Sequence, residues 1–254
     1  MQKILSHLRR ACEDYKLIED GDRIAVGVSG GKDSLTLLKA LVMYRRFSEQ
    51  KFELEAITVD LFNGTSDFTP LQQFCDELNI RFTVIKSNIY TVLFEDRKEK
   101  NPCSLCSKLR RGALNEKALE LGCNKVALGH HADDLIETFF LSMFYEGRLS
   151  SFHPISYMDR TGLTVIRPLI YVEEKDIVGI TKRLNLPVMF NCCPANKHTQ
   201  REYVKQLLNT IKKDIPFVKD RIHGALIHPE RYNLFDRLEE KLLEAKKPKN
   251  KQDE

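Results

Sequence analysis

Three short stretches of the sequence carry residue types suited to chemistry. The first is Ser29-Gly30-Gly31-Lys32-Asp33-Ser34. Two successive glycines let the backbone turn tightly enough to aim several N–H groups at one point. A helix starting there would add its positive N-terminus, which favours the same anion. Lys32 supplies a mobile cation, and Ser29 and Ser34 supply hydroxyl donors, so the six residues read as a phosphate cradle. The distance from glycine to lysine is not that of the GxxxxGK[ST] loop. Phosphate repels Asp33 unless a cation lies between them, which points to Mg²⁺.

The second stretch is Gly129-His130-His131-Ala132-Asp133-Asp134. Adjacent carboxylates between a strand end and a helix start can cap the helix and hold a cation. Adjacent histidines in extended chain diverge, so they read as satisfied or substrate-facing groups rather than zinc ligands. The third stretch is the Cys103-x-x-Cys106 pair, with Cys192 and Cys193 far along the chain. A CxxC opening a helix gains thiolate stability from the helix N-terminus. Adjacent cysteines seldom both ligate one ion, so three ligands is the natural count. The residues alone leave three uses open. These are an iron–sulfur cluster with one iron free, a closed zinc site and a redox pair. Cys12, Cys75 and Cys123 stand alone and read as small buried apolar residues.

Elements must position these groups. Apolar residues at three- and four-residue spacing predict a first helix over 4–15. Strands are expected over 23–28, 54–61, 81–85, 125–128 and 164–166. Helices are expected over 34–46, 70–78, 109–121, 134–145 and 173–184, the third of them stopping at Gly122. Alternation of this kind predicts an α/β fold, a parallel sheet with helices on both faces. Ligands then bind where strand carboxyl ends meet helix N-termini. The cradle and the His-His-Ala-Asp-Asp stretch both fall at such places, and Asp60 ends the second strand. An irregular stretch is expected near 187–197, then helices over 201–213 and 229–245 and a frayed tail. The expected organisation is an N-terminal helix at 1–21, a nucleotide-binding domain at 22–185 carrying the CxxC insertion, an extension at 186–246 and a tail at 247–254.

The chain has 254 residues, a net charge of +4, 42% hydrophobic and 30% charged residues. That excludes an intrinsically disordered protein. No apolar run is long enough to span a bilayer, so no membrane association is expected. The first residues lack the apolar block of a signal peptide, which predicts a cytoplasmic location. Seven cysteines in such a chain argue for metal or redox chemistry over a disulfide framework. Arg97, Lys98, Lys100, Lys108, Arg110 and Arg111 stand against Glu99 alone, a patch able to hold a phosphate backbone.

The SGGKDS hexapeptide resembles the PP-loop of the ATP pyrophosphatase superfamily, and LGHHADD is similar to its GHHxDD element. PCSLCSKLRRG at 102–112 and IRPLIYVEEKDI at 166–177 extend the match. Together they resemble the tRNA 2-thiocytidine synthetase family, continuously from about residue 22 to about 201. The resemblance implies an adenine nucleotide alpha-hydrolase-like fold and ATP-dependent thiolation of an anticodon-loop cytidine in tRNA. In that chemistry the C2 oxygen is adenylated with release of pyrophosphate, and sulfur then displaces AMP. Lys32, Asp33 and the serines would hold phosphates and metal, with Asp133 and Asp134 near them. Lys32, Asp33 and Asp134 are the implied catalytic residues. Ser29, Gly30, Gly31, Ser34, Asp60, His130 and Asp133 complete the expected nucleotide site.

The resemblance also implies a 4Fe-4S cluster on Cys103, Cys106 and a late cysteine. Setting Gln200-Arg201 against the family's Gln-Arg puts that ligand at Cys193. The family commonly spaces its late cysteines as CxxC, whereas here they are adjacent, so Cys192 remains the rival. Arg110, Arg111 and Arg167 are implied in RNA or nucleotide phosphate contact. The implied partners are tRNA and a sulfur donor such as a cysteine desulfurase. Family members are often homodimers, although no dimer signature is present. The alternatives are a tRNA 2-thiouridine synthetase, which usually carries flanking zinc-binding CxxC pairs, and a lysidine synthetase, which needs no cysteine trio. A non-enzymatic ATP-binding redox sensor would release no pyrophosphate.

Overall fold

The computed structural model describes residues 1–97, 99, 102–189, 200–232 and 234. Six strands form one sheet: β1 (Arg23–Gly27), β2 (Glu53–Asp60), β3 (Arg81–Lys86), β4 (Lys125–Ala127), β5 (Ile155–Met158) and β6 (Leu163–Ile166). Their order is β3-β2-β1-β4-β6-β5. The first five in that order run parallel, and β5 pairs antiparallel with β6 at the edge. The sheet is therefore mixed rather than wholly parallel. The sequence reading missed β5, a four-residue strand with two residues exposed, too short and wet to stand out. Strand order reverses between β1 and β4. In open sheets of this kind the ligand crevice lies at that reversal, beyond the carboxyl ends.

Helices α1 (Gln2–Tyr15), α2 (Lys32–Tyr44), α3 (Thr69–Glu77), α4 (Pro102–Glu120), α5 (Ala132–Leu141) and α6 (Glu174–Arg183) surround the sheet. Strand β1 is buried on both sides because its alternation feeds two cores. Ile24 and Val26 join Leu54, Ala56 and the buried faces of α1, α2, α3 and α6. Ala25 faces the other way, with Ile57, Val126 and Leu163, against Leu114 and Ala118 of α4. The N-terminal helix shares the main core through Ile4, Leu8 and Ala11.

Beneath the sheet, Lys125 is 5% exposed and meets Asp22 at 2.8 Å and Glu19 at 3.0 Å. Asp22 also accepts from the Asn124 side chain and the Glu19 N–H. This buried pair ties the start of β4 to the turn before β1. It fixes the two central strands relative to each other at the end away from the crevice.

Two further helices, α7 (Gln200–Asp214) and α8 (Val218–Ile227), pack on α5. Val204 and Leu208 are buried against Ile136. The sequence reading placed a helix over 201–213 but not α8, which buries no residue fully and so has no clear apolar stripe. Of the helix expected over 229–245, only a short 3₁₀ turn at Pro229–Arg231 falls among the described residues. The tail, and residues 190–197 of the irregular stretch expected at 187–197, lie outside them. No described helix is long and apolar enough to cross a membrane.

Candidate active site

Strand β1 runs into the 28–31 turn and then α2; β4 runs into 128–131 and then α5. Gly30 adopts φ +78°, a conformation that favours glycine. Its carbonyl accepts the Met189 N–H at 2.9 Å, and a β-carbon there would lie 3.0 Å from the Met189 side chain. The Ser34 hydroxyl stitches the turn. It donates to the Gly31 carbonyl at 3.0 Å, accepts the Ser29 N–H at 3.1 Å and lies 3.2 Å from Ser29 Oγ. Lys32 and Asp33 open α2, directly after this turn. The second turn comes in close because Gly129 has no side chain. A β-carbon there would sit 3.0 Å from the Asp33 carbonyl carbon and 3.1 Å from the Ser34 nitrogen.

Between the two turns lies a cavity of about 360 Å³. Ser29, Asp33 and Ser34 line it from the first turn, and His130 and Asp134 from the second. Ser107, Arg110 and Arg111 of α4 line it from the opposite face. His131 is buried, with its Nε2 3.6 Å from Asp33 Oδ1 and 3.4 Å from Asp134 Oδ2. Asp134 also accepts the His131 N–H at 3.1 Å, closing the first turn of α5. Two carboxylates from different loops thus converge on one nitrogen, a donor pair able to share a hard cation.

His130 packs against Phe152 at 5.0 Å between centroids. Burial drives its imidazole down to about 4, so it is neutral at pH 7. Arg167 lies over the same Phe152 ring, its guanidinium 5.0 Å from the ring centre. It donates to the His153 carbonyl at 2.6 Å and to Ser156 Oγ at 3.3 Å. Burial, with the positive charge of Arg111 added, lowers its guanidinium to about 10. Arg110 and Arg111 enter none of the ion pairs among the described residues. The cavity therefore has an arginine side and a carboxylate side.

Other expected site residues lie off this cavity. Lys32 sits beside it, 3.0 Å from Asp33 and 3.2 Å from Glu174. Asp60 is 1% exposed and turned into its own loop, accepting from Phe62 N, Gly64 N and Ser66 Oγ. Asp133 accepts the Glu174 N–H at 2.7 Å and Lys219 Nζ at 2.8 Å, facing α6 and α8. Burial opposes its ionisation, but those two donors outweigh it and hold the carboxyl below the ordinary range. Arg167 is spent on its own loop.

Cys103 is exposed and Cys106 half-buried, one turn apart at the start of α4. The same helix carries Ser107, Arg110 and Arg111 into the cavity, beginning one residue after Cys106. Cys192 and Cys193 lie outside the described residues. The described chain is nonetheless tied to the site on both flanks of that segment, by Met189 to Gly30 and by Arg201 to Asp134. Burial pushes the thiols of Cys12 and Cys75 up to about 12 and that of Cys123 up to about 11. They are inert packing groups at neutral pH, as the sequence suggested.

A family model described as a PP-loop domain matches residues 2–211. The chain is 40% identical over 240 residues to the tRNA-cytidine(32) 2-sulfurtransferase of Geotalea uraniireducens, covering 92% of this chain and 94% of the relative. It is also 40% identical over 242 residues to the enzyme of the same name from Aliivibrio fischeri, covering 92% and 79%. The chain belongs to the tRNA-cytidine(32) 2-sulfurtransferase family. Its fold is that of the U34-tRNA thiolase NcsA from Methanococcus maripaludis, solved with its [4Fe-4S] cluster. That match has a TM-score of 0.71 and 24% identity, over 91% of this chain and 80% of the other. The adenine nucleotide alpha-hydrolase fold expected from the sequence is thus the fold observed.

For this member of the family, sequence reasoning missed a ring of charges from the C-terminal helices. Arg201 of α7 reaches Asp134 at 3.3 Å and Glu137 at 3.2 Å, and donates to Thr138 Oγ1. Glu137 is buried, which raises its carboxyl despite Arg201. Lys205 reaches Glu174 at 2.8 Å, and Lys219 of α8 reaches Asp133. The available signal was the four-residue spacing of Arg201 and Lys205, which puts both on one face of a helix. Their partners lie between 31 and 67 residues away and left no local trace.

Proposed function

We propose that this protein is an ATP-dependent tRNA sulfurtransferase that converts an anticodon-loop cytidine to 2-thiocytidine. The observation that carries the reading is the cavity at the β1/β4 reversal. There an amide turn, two converging carboxylates and two arginines meet, with a CxxC on the helix that carries those arginines. The triphosphate of ATP lies along the 29–34 turn, where main-chain N–H groups, the N-terminus of α2 and Lys32 offset its charge. Asp33 and Asp134 would hold a Mg²⁺ ion, a role that suits two carboxylates gathered about His131 Nε2. The target cytidine is unstacked into the cavity, since bases in RNA are read when splayed out. Arg110 and Arg111 take phosphate oxygens, as bidentate forks do.

In the first step the cytidine C2 oxygen bonds to the α-phosphorus and the bond to pyrophosphate breaks. In the second a sulfur nucleophile bonds to C2, the C2–O bond breaks and AMP leaves. Cys103 and Cys106, with Cys193 as third thiolate, would hold a 4Fe-4S cluster. Two soft thiols at a helix N-terminus suit it. The cluster would supply the place where sulfur is kept for transfer. His130, held neutral, lines the pocket without adding a charge. The sulfur itself comes from a donor such as a cysteine desulfurase, and the reaction takes place in the cytoplasm.

The test is tRNA-dependent pyrophosphate release together with iron content. Asp33→Ala is expected to lose pyrophosphate release and keep its iron. Cys103→Ala is expected to lose iron and still bind ATP. Full pyrophosphate release by Asp33→Ala, or unchanged iron in Cys103→Ala, would overturn the assignment of that residue.

A further inference from the structure

Lys32 meets two carboxylates. One is its neighbour Asp33, at 3.0 Å. The other is Glu174, the first residue of α6, at 3.2 Å. Asp33 has a second use at a cation site, but Glu174 does not line the cavity and has no role in the reaction described above. It is nevertheless held with care. Its N–H donates to Asp133 at 2.7 Å, and Asp133 is itself held by Lys219 at 2.8 Å. Its carboxylate takes Lys205 Nζ at 2.9 Å on Oε1 and 2.8 Å on Oε2. One oxygen, Oε1, therefore lies between the ammonium groups of Lys32 and Lys205.

A carboxylate beside a lysine of a phosphate cradle is an awkward thing to keep. It aims the lysine, but it also repels the anion the lysine is there to bind. Charges a few ångströms apart at a protein surface still interact appreciably through the solvent-screened field. A second ammonium on the far side of Glu174 resolves the conflict. Lys32, Glu174 and Lys205 together carry a charge of +1. Without Lys205 the group would be neutral, and without the Glu174 charge it would be +2. We propose that Glu174 is a positioning residue that aims Lys32 at the nucleotide phosphates, and that Lys205 is the counter-cation that lets a carboxylate stand there. The α7 helix thereby becomes part of the nucleotide site although none of its residues lines the cavity.

The proposal rests on the reading of the 29–34 turn as the triphosphate site. It predicts effects of opposite sign on ATP affinity, which a merely structural ion pair would not give. The experiment measures tRNA-dependent pyrophosphate release by the full chain with its cluster, over a range of ATP concentrations. Glu174→Gln removes the repulsion and the aim. It is expected to lower KM for ATP by about 3-fold or more and to lower kcat by about 10-fold or more. Lys205→Met is expected to raise KM for ATP by about 10-fold and leave kcat within about 3-fold. Lys205→Arg, which keeps the charge, should return KM to within about 2-fold of the parent. In the double variant the two changes in KM should largely cancel while kcat stays low.

A KM that moves in the same direction in both single variants would overturn the proposal, as would an unchanged kcat in Glu174→Gln. Asp33→Ala separates the two levels. If it abolishes pyrophosphate release while the Glu174 and Lys205 variants leave KM alone, the turn is the nucleotide site and Glu174 does not position it. If Asp33→Ala is silent as well, the site reading falls and this proposal falls with it.

Discussion

At the scale of single residues, adjacent groups in this site have been sent to different tasks. His130 and His131 follow each other at the end of β4, yet one faces the cavity beside Phe152 and the other is enclosed by Asp33 and Asp134. Burial keeps His130 neutral down to about pH 4. An unfolded histidine takes up its proton near pH 6.5. Above that value His130 is neutral in both states and has no effect on the balance. As pH falls below 6.5 the unfolded chain gains a proton that the folded chain refuses, so stability is lost until about pH 4. The loss should approach roughly 3 kcal/mol. Urea unfolding of the parent and His130→Gln at pH 7 and pH 4.5 checks this, the variant being expected to show a distinctly flatter acid dependence. Equal slopes would mean that other groups set the acid limit. The same divergence explains what the sequence revealed and what it hid. Residue types singled out Asp33, Asp134 and His130, and the structure places all three on the cavity. Types alone did not separate Asp134 from Asp133, because neighbours at a helix start point about 100° apart and only packing fixes the azimuth. Nor did they show that the buried Asp60 would spend both oxygens on its own loop.

At the scale of elements, the site depends on how closely two strand ends approach. Gly129 has an ordinary backbone conformation, so what it supplies is space. A methyl group there would meet backbone atoms of Asp33 and Ser34, which have no rotamer by which to yield. Gly129→Ala is therefore expected to push the 29–34 turn outward and raise KM for ATP by about 10-fold or more, with a fall in Tm of only a few degrees. Steady-state kinetics with a thermal melt checks it; parent-like KM would show that the turn tolerates the displacement. Parallel strands and their crossover helices were legible because both-face burial and helical spacing leave strong local patterns, as in β1 and α2. The edge strand β5 and helix α8 were not. Each is half-exposed, and each owes its place to a neighbour: β5 to its ladder with β6, and α8 to its packing on α5.

At the scale of the whole molecule, the C-terminal helices close the site that the sheet opens. Arg201, Lys205 and Lys219 join α7 and α8 to carboxylates at the starts of α5 and α6. The chain on either side of the late cysteines is fastened to the 29–34 turn and to Asp134. This long-range arrangement brings the described chain on either side of that segment to one cavity, and a linear sequence shows it only as isolated charges. Whether this assembly makes 2-thiocytidine is decided by expressing the chain in a host that lacks 2-thiocytidine and analysing the tRNA nucleosides by mass spectrometry. 2-Thiocytidine is expected with the parent chain and not with Asp33→Ala or Cys103→Ala. A parent chain that is soluble and carries iron, but yields 2-thiouridine or no thiolated nucleoside, would contradict the proposed function.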